Sequence, residues 1–300
     1  MDLSGAYPHL HPSTRPLAEE STEARIRRIR TDRWIAYARA EAVLSALEDL
    51  LTFPKRTRMP NLLLVGPTNN GKTMIVEKFR RTHPPLDAHE APEGTASIPV
   101  LKVQMPPGPD EGRLFGAILD AIGLPGASTD RVSARQDAAI RLMRATSVHL
   151  LVIDEIHNVL SGSRTQQRRL LNLLRWLGNE LQIPLVAVGT AEALHAIQSD
   201  DQLANRFEPV ALPRWRDGTE YRRLLSTLEA VLPLRSPSQL TEPALAQKIL
   251  CAADGILGEV ITVVTRAAVC AVRSGAEAIS ANIIDDTGFI SPAERRRVAI

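Results

Sequence analysis

Between residues 66 and 73 the chain reads GPTNNGKT, directly after the apolar run NLLLV at 61–65. Two glycines, a lysine and a threonine stand at the spacing G-x-x-x-x-G-K-T, which answers a strict physical demand. A loop that wraps a triphosphate points several backbone N–H groups inward, and side chains at Gly66 and Gly71 would obstruct that turn. Pro67, Thr68, Asn69 and Asn70 complete the cradle between them. The loop then opens the helix KTMIVEKFRR, whose N-terminal N–H groups favour anions. Lys72 would reach the β- and γ-phosphates as a charge, and the hydroxyl of Thr73 would ligate Mg²⁺. A second stretch, HLLVIDE at 149–155, is an apolar strand ending in two acids, expected to neighbour the strand before the loop. Asp154 would hold the Mg²⁺ shell, and Glu155 would orient and deprotonate the attacking water. Together the two stretches predict a nucleoside triphosphatase that takes ATP.

Two further residues would couple nucleotide to the rest of the fold. The apolar strand IPLVAVGT ends in Thr190, whose hydroxyl would either touch the γ-phosphate or attacking water, or cap the helix AEALHAI that follows. In DDQLANRFEPVAL, Arg206 precedes an apolar segment that would be the last strand. There it would serve as an arginine finger for a neighbouring subunit, stabilising transition-state charge in trans, or lie on the surface paired with Asp200 or Glu208.

These groups need a scaffold, and 300 residues with 44% hydrophobic and 23% charged content can bury one main domain and a smaller one. The strands 61–65, 98–105, 149–155 and 183–190 alternate with helical periods at 35–51, 72–81, 111–122, 131–145 and 163–181. That alternation predicts an α/β fold, a parallel sheet flanked by helices with the site at the strand C-terminal ends. After Pro213 the apolar residues recur at helical period, and even VITVVT at 260–265 reads as helix from its flanks. The expected divisions are a flexible tail over 1–22, an α/β domain with a basic helical lead over 23–215, a small all-helical domain over 216–290, and a tail over 291–300. Cys251 and Cys270 show no metal-ligand spacing and read as small core residues. No apolar run approaches the ~18 residues that cross a bilayer. With no signal-peptide pattern at the N-terminus either, the expected location is the cytoplasm and no membrane partner is expected.

Net charge is only +2, so the placement of arginine matters more than its sum. The run ARIRRIRTDRW at 24–34 carries five arginines, and PKRTRMP at 54–60 adds Lys55, Arg56 and Arg58. Such runs are either solvated helical faces or nucleic-acid footprints.

The loop, the acidic pair, the polar strand end, the NRF arginine and the helical segment behind them together resemble the AAA+ ATPases. More narrowly, RIRTDRWIAYARAEAVLSALEDLL through KRTRMPNLLLVGPTNNGKTMIVEKF resembles TniB, a transposition helper ATPase related in role to TnsC, MuB and IstB. The resemblance implies a helical lid, head-to-tail assembly as a ring or helical filament, and binding of double-stranded DNA. It also implies a DDE transposase (TniA-like) that is recruited or stimulated, and a TniQ-like targeting protein as partner. By similarity to TnsC, the DNA contacts would come from EGRLFG, with Arg113, and STDRVSAR, with Thr129 and Arg131. One departure stands out: AAA+ lids often carry a nucleotide-sensing arginine after a glycine in a late helix, whereas GILGEVIT offers Glu259, with Arg266 further on. Two other functions fit the same motifs, an AAA+ remodeller or loader acting on protein and an ATP-dependent scaffold that hydrolyses weakly.

Overall fold

The computed structural model describes residues 7–90, 95–124 and 131–297. The chain forms two compact units, Arg39–Thr68 with Lys72–Leu212, and the described residues of Met1–Ala38, Asn69–Gly71 and Pro213–Ile300. The element order is α1 Thr22–Arg30, α2 Ala38–Leu51, β1 Asn61–Val65, α3 Lys72–Thr82, β2 Val100–Gln104, α4 Glu111–Ile122, α5 Val132–Ala145, β3 Leu150–Asp154 and α6 Arg164–Leu181. It continues with β4 Leu185–Gly189, α7 Ala191–Gln198, α8 Asp201–Ala204, β5 Phe207–Ala211, α9 Thr219–Val231, α10 Pro243–Ala252, α11 Leu257–Ser274, α12 Ala281–Asp286 and α13 Pro292–Arg297.

The first unit is the predicted α/β fold: a five-stranded parallel sheet in the order β2-β3-β4-β1-β5. Every residue of β1, β3 and β4 is buried, as expected of strands covered on both faces. β5 is the edge, which explains how it accommodates Pro209 without losing a ladder bond. The sequence places the acidic strand next to the loop strand; the structure inserts β4 between them. Strand order is a long-range choice that local pattern does not encode.

Local chemistry explains the helices that flank the sheet. Asp110 caps α4 by accepting from the Arg113 N–H at 2.7 Å, and Gly123 ends it at φ +92°, a conformation costly for other residues. α6 opens with a capping box of Ser163 and Gln166 and buries Leu170, Leu174, Leu177 and Leu181 at helical spacing. Each such leucine removed from water stabilises the fold by about 1.5–3 kcal/mol.

The second unit is helical, and its core joins Ile29 and Ile35 to Trp215, Tyr221, Leu225, Val260 and Val264. VITVVT lies inside α11, as its flanks predict. Residues 7–21 are not the expected tail. Leu10 and Ala18 are buried, His11 N–H donates to Ala230 O at 2.8 Å, and Arg235 Nε donates to Ala18 O at 3.1 Å. Residues 23–38 likewise group with the helical unit, and 292–297 form α13 instead of a bare tail. The polar, proline-rich composition of the N-terminus conceals this anchoring, because its partners lie some two hundred residues away. Cys251 is exposed, contrary to its reading as core, while Cys270 is half-buried; both are free thiols. Among the described residues no single helix is long and apolar enough to cross a membrane.

Candidate nucleotide site

The loop of 66–73 leaves β1 at its C-terminal end, and both glycines are required there. A Cβ on Gly66 would stand 2.7 Å from the Leu212 carbonyl oxygen. Gly71 sits at φ +88°, and a Cβ there would meet Leu257 Cδ2 at 3.1 Å and Tyr37 Oη at 3.3 Å. Asn69 also takes a left-handed conformation, φ +60°, which asparagine tolerates better than most residues. Pro67 is half-buried and Thr68 exposed. The Lys72 ammonium is buried and donates to Gly66 O at 2.9 Å and Pro67 O at 2.7 Å, so it braces the loop and keeps one proton uncommitted. Burial pushes this ammonium below the usual lysine range, against the pull of Glu155 and Asp154.

Although β4 lies between β1 and β3, Thr73 at the start of α3 reaches Asp154: its hydroxyl donates to Asp154 Oδ2 at 3.0 Å. Asp154 is 5% exposed, and its other oxygen accepts the Glu155 N–H at 2.9 Å. A hydroxyl and a carboxylate at this separation form the hard-oxygen donor set that Mg²⁺ prefers. Glu155 is held at φ +56°, strained for a residue with a side chain, with Oε2 3.1 Å from His157 Nε2.

Thr190 follows β4, between the acids and the loop, where the Gly66 N–H donates to Gly189 O at 3.2 Å. Of its two expected roles, the cap is not made: α7 has no side-chain cap bond, and the hydroxyl lies 3.5 Å from Glu192 Oε2.

Two participants escaped the sequence reading. Lys102 on β2 donates to Glu77 Oε1 at 2.9 Å and lies 3.5 Å from Asp154 Oδ2. Burial raises the Glu77 carboxyl, but the hydrogen bonds and charges of Lys102 and Arg80 together outweigh it and hold the group below the usual carboxylate range. The other is His157, whose Nδ1 is buried without a hydrogen-bond partner. A lysine inside VLKVQ and a histidine after IDEI are local signals; only the β2–β3 register and the turn after β3 show what they face.

Arg206 lies at the opposite end of the sheet. It precedes Phe207, which pairs with Asn61 at the start of β1, so a strand's length of about 15 Å separates it from the loop. Its guanidinium donates to Asn179 Oδ1 at 2.8 Å rather than to Asp200 or Glu208. Partial burial, then the nearby charges of Arg58 and Arg175, lower it from the ordinary arginine value.

In the helical unit, the loop residues 69–71 are gripped by the start of α11. Gly258 N–H donates to Asn69 O at 2.9 Å, Leu257 N–H to Asn70 Oδ1 at 3.0 Å, and Asn69 Nδ2 to Glu259 Oε1 at 3.1 Å. Glu259 also pairs with Arg295 of α13, while Arg266 stacks on Phe289 at 5.5 Å. The glutamate at the expected arginine position thus holds the loop and borrows its cation from the C-terminal helix. A Cβ on Gly258 would stand 2.1 Å from Asn69 Oδ1. Gly258→Ala is therefore expected to shift the loop and weaken binding of a fluorescent ATP analogue on the order of tenfold, overpacking costing about 1–3 kcal/mol. Unchanged affinity with intact folding would mean this grip is not used with nucleotide bound.

Of the DNA candidates, Arg113 and Arg131 are exposed at the starts of α4 and α5. The structure brings these starts together: a Cβ on Gly112 would meet Val132 Cγ2 at 3.1 Å, and Arg135 Nη1 donates to Gly112 O at 3.3 Å. Thr129 lies outside the described residues.

A parallel sheet with a phosphate loop after β1, paired acids at the end of β3 and a helical unit following in sequence define the AAA+ class of P-loop fold. The ORC2 protein of Aeropyrum pernix, solved as ADPNP-ADP complexes, is similar with TM-score 0.63 and 17% identity over 91% of this chain and 74% of that one. Cdc6p of Pyrobaculum aerophilum gives TM-score 0.63 and 16% identity over 87% and 70%. Aeropyrum pernix ORC1, solved in complex with DNA, gives 0.60 and 18% over 88% and 68%. The chain belongs to the TniB family: the profile described as "Bacterial TniB protein" matches residues 25–217. No curated protein sequence gives a significant match.

Proposed function

We propose that this TniB-family chain is a Mg²⁺-dependent ATPase that assembles head-to-tail on duplex DNA and recruits or stimulates a DDE transposase, with a TniQ-like protein as targeting partner. The observation that carries the ATPase reading is the contact between Thr73 and Asp154, with Glu155 presented beside them. In this reading Lys72 and the loop N–H groups hold the triphosphate, and Thr73 and Asp154 hold Mg²⁺. The metal would supply charge neutralisation on the phosphate oxygens. Glu155 accepts the proton of the attacking water, oriented by His157, and Thr190 lies where it can sense the γ-phosphate.

Arg206 is too far from its own loop to serve it; Arg58 and Arg175 lie near it, opposed by Asp200, and its side-chain hydrogen bond among the described residues goes to the neutral amide of Asn179. That combination suits an arginine offered to the triphosphate of a neighbouring subunit, which requires a heterologous, repeating interface. Family membership supports the transposition role, and the adjacent starts of α4 and α5 offer Arg113 and Arg131 to DNA phosphates.

The test is to measure ATP turnover with and without duplex DNA and to image the protein with duplex DNA and a slowly hydrolysed ATP analogue. Turnover stimulated by DNA, with rings or filaments along the duplex, is the expected result. Turnover indifferent to DNA, with no DNA-bound assemblies, would overturn the DNA-binding part and leave an ATPase acting on protein.

A further inference from the structure

The five arginines of 24–34 do not share one role, and the helix they build separates them. Arg25 and Ile29 stand four residues apart on the buried face of α1. Arg25 is 1% exposed; its guanidinium donates to Pro233 O at 3.0 and 2.9 Å and pairs with Glu277. Arg33 is likewise committed, donating to the carbonyls of Val231 and Arg28. These two fasten the segment to its own unit. Arg27, Arg28 and Arg30 are exposed.

Arg27 and Arg30 line a hollow together with Arg273 from the last turn of α11. Arg30 and Arg273 also line the adjoining hollow, where Arg266 joins them. Four guanidiniums therefore stand along two connected depressions, against two carboxylates, Glu23 and Asp286. Arg27, Arg30 and Arg273 form no ion pair with a described residue, and Arg266 is steadied over the Phe289 ring. Unpaired like charges gathered this way repel one another and add nothing to folding stability. A single phosphate would occupy one hollow; two hollows sharing Arg30 and Arg273 fit a ligand with repeating negative charge. The Thr31 hydroxyl is committed to the Arg27 carbonyl at 2.9 Å, which leaves Thr265 as a neutral hydroxyl donor beside the cations, the mixture typical of contacts to a phosphodiester backbone.

We propose that this α1–α11 arginine face grips the phosphate backbone of duplex DNA, separately from the starts of α4 and α5. It deepens the DNA-binding part of the proposed function and rests on it. Its contacts are independent of base sequence, since nothing on this face is arranged to read base edges.

The experiment titrates the full chain, with a slowly hydrolysed ATP analogue, against a fluorescent duplex over a series of salt concentrations. Three proteins are compared: wild type, Arg27→Ala with Arg30→Ala and Arg273→Ala, and the same three positions changed to lysine. The alanine variant is expected to bind every duplex at least about tenfold more weakly at low salt, with the slope of log K against log salt shallower by about 2–3. Lysine should keep most of the slope, and DNA-independent ATP turnover should be unchanged in both variants. Wild-type affinity and slope in the alanine variant would overturn this face while leaving DNA binding in place. A wild-type protein that binds no duplex at any salt concentration would overturn both this face and the DNA-binding reading beneath it.

Discussion

Lys72→Ala is expected to reduce ATP affinity by about ten- to a hundredfold, because a hydrogen-bonded charge contributes about 1.5–3 kcal/mol and the loop holds no second cation. The structure adds a second loss. The Lys72 ammonium ties together Gly66 O and Pro67 O, so its removal leaves the loop without its internal brace even before nucleotide arrives. Equilibrium titration with a fluorescent ATP analogue reads the effect, and thermal unfolding shows whether the fold survives. Wild-type affinity in a folded Lys72→Ala protein would remove the loop from the binding site.

Glu155→Gln should leave ATP binding nearly intact and remove most of the turnover. The amide keeps the shape of the side chain and can still meet His157, whose ring lies 3.1 Å from the carboxylate, but it cannot accept the proton of a water nucleophile. Loss of a general base lowers turnover by about 10²–10⁴-fold. ATP affinity should stay near that of the wild type, and any nucleotide-dependent assembly should become long-lived because its ATP persists. Single-turnover hydrolysis with radiolabelled ATP separates the two steps. Undiminished hydrolysis would shift the base to another residue, with His157 the first to test.

Much of this was legible because it is local. The loop spacing, the run of apolar strand residues before it and the acids after HLLVID are all set by neighbours in sequence, so five strands and the phosphate cradle can be read directly. What could not be read depends on strand order and register. β4 lies between β1 and β3, and Lys102 meets Asp154 only because β2 pairs beside β3. The N-terminal arginines are an intermediate case. Helical spacing places Arg25 on the same face as Ile29, a signal that it turns inward, yet its partner Glu277 is invisible until the chain is folded. Glu259 is similar: its departure from the AAA+ pattern shows in sequence, whereas its bonds to Asn69 and Arg295 do not.

The Arg25–Glu277 pair joins residues 252 positions apart, and this sets an order of events during synthesis. At about 5–20 residues per second, Arg25 is added to the chain roughly 13–50 s before its partner exists. All of Arg39–Leu212 is made in that interval, the three loop residues that group with the helical unit included. The α/β unit thus has its full complement of strands while Ile29 and Ile35 still wait in water for the core formed by α9 to α12. Ribosome and chaperones therefore handle a nascent chain in which Ile29 and Ile35 are covered only after α9 to α12 are made, and a chain released short of Glu277 leaves Arg25 without its carboxylate.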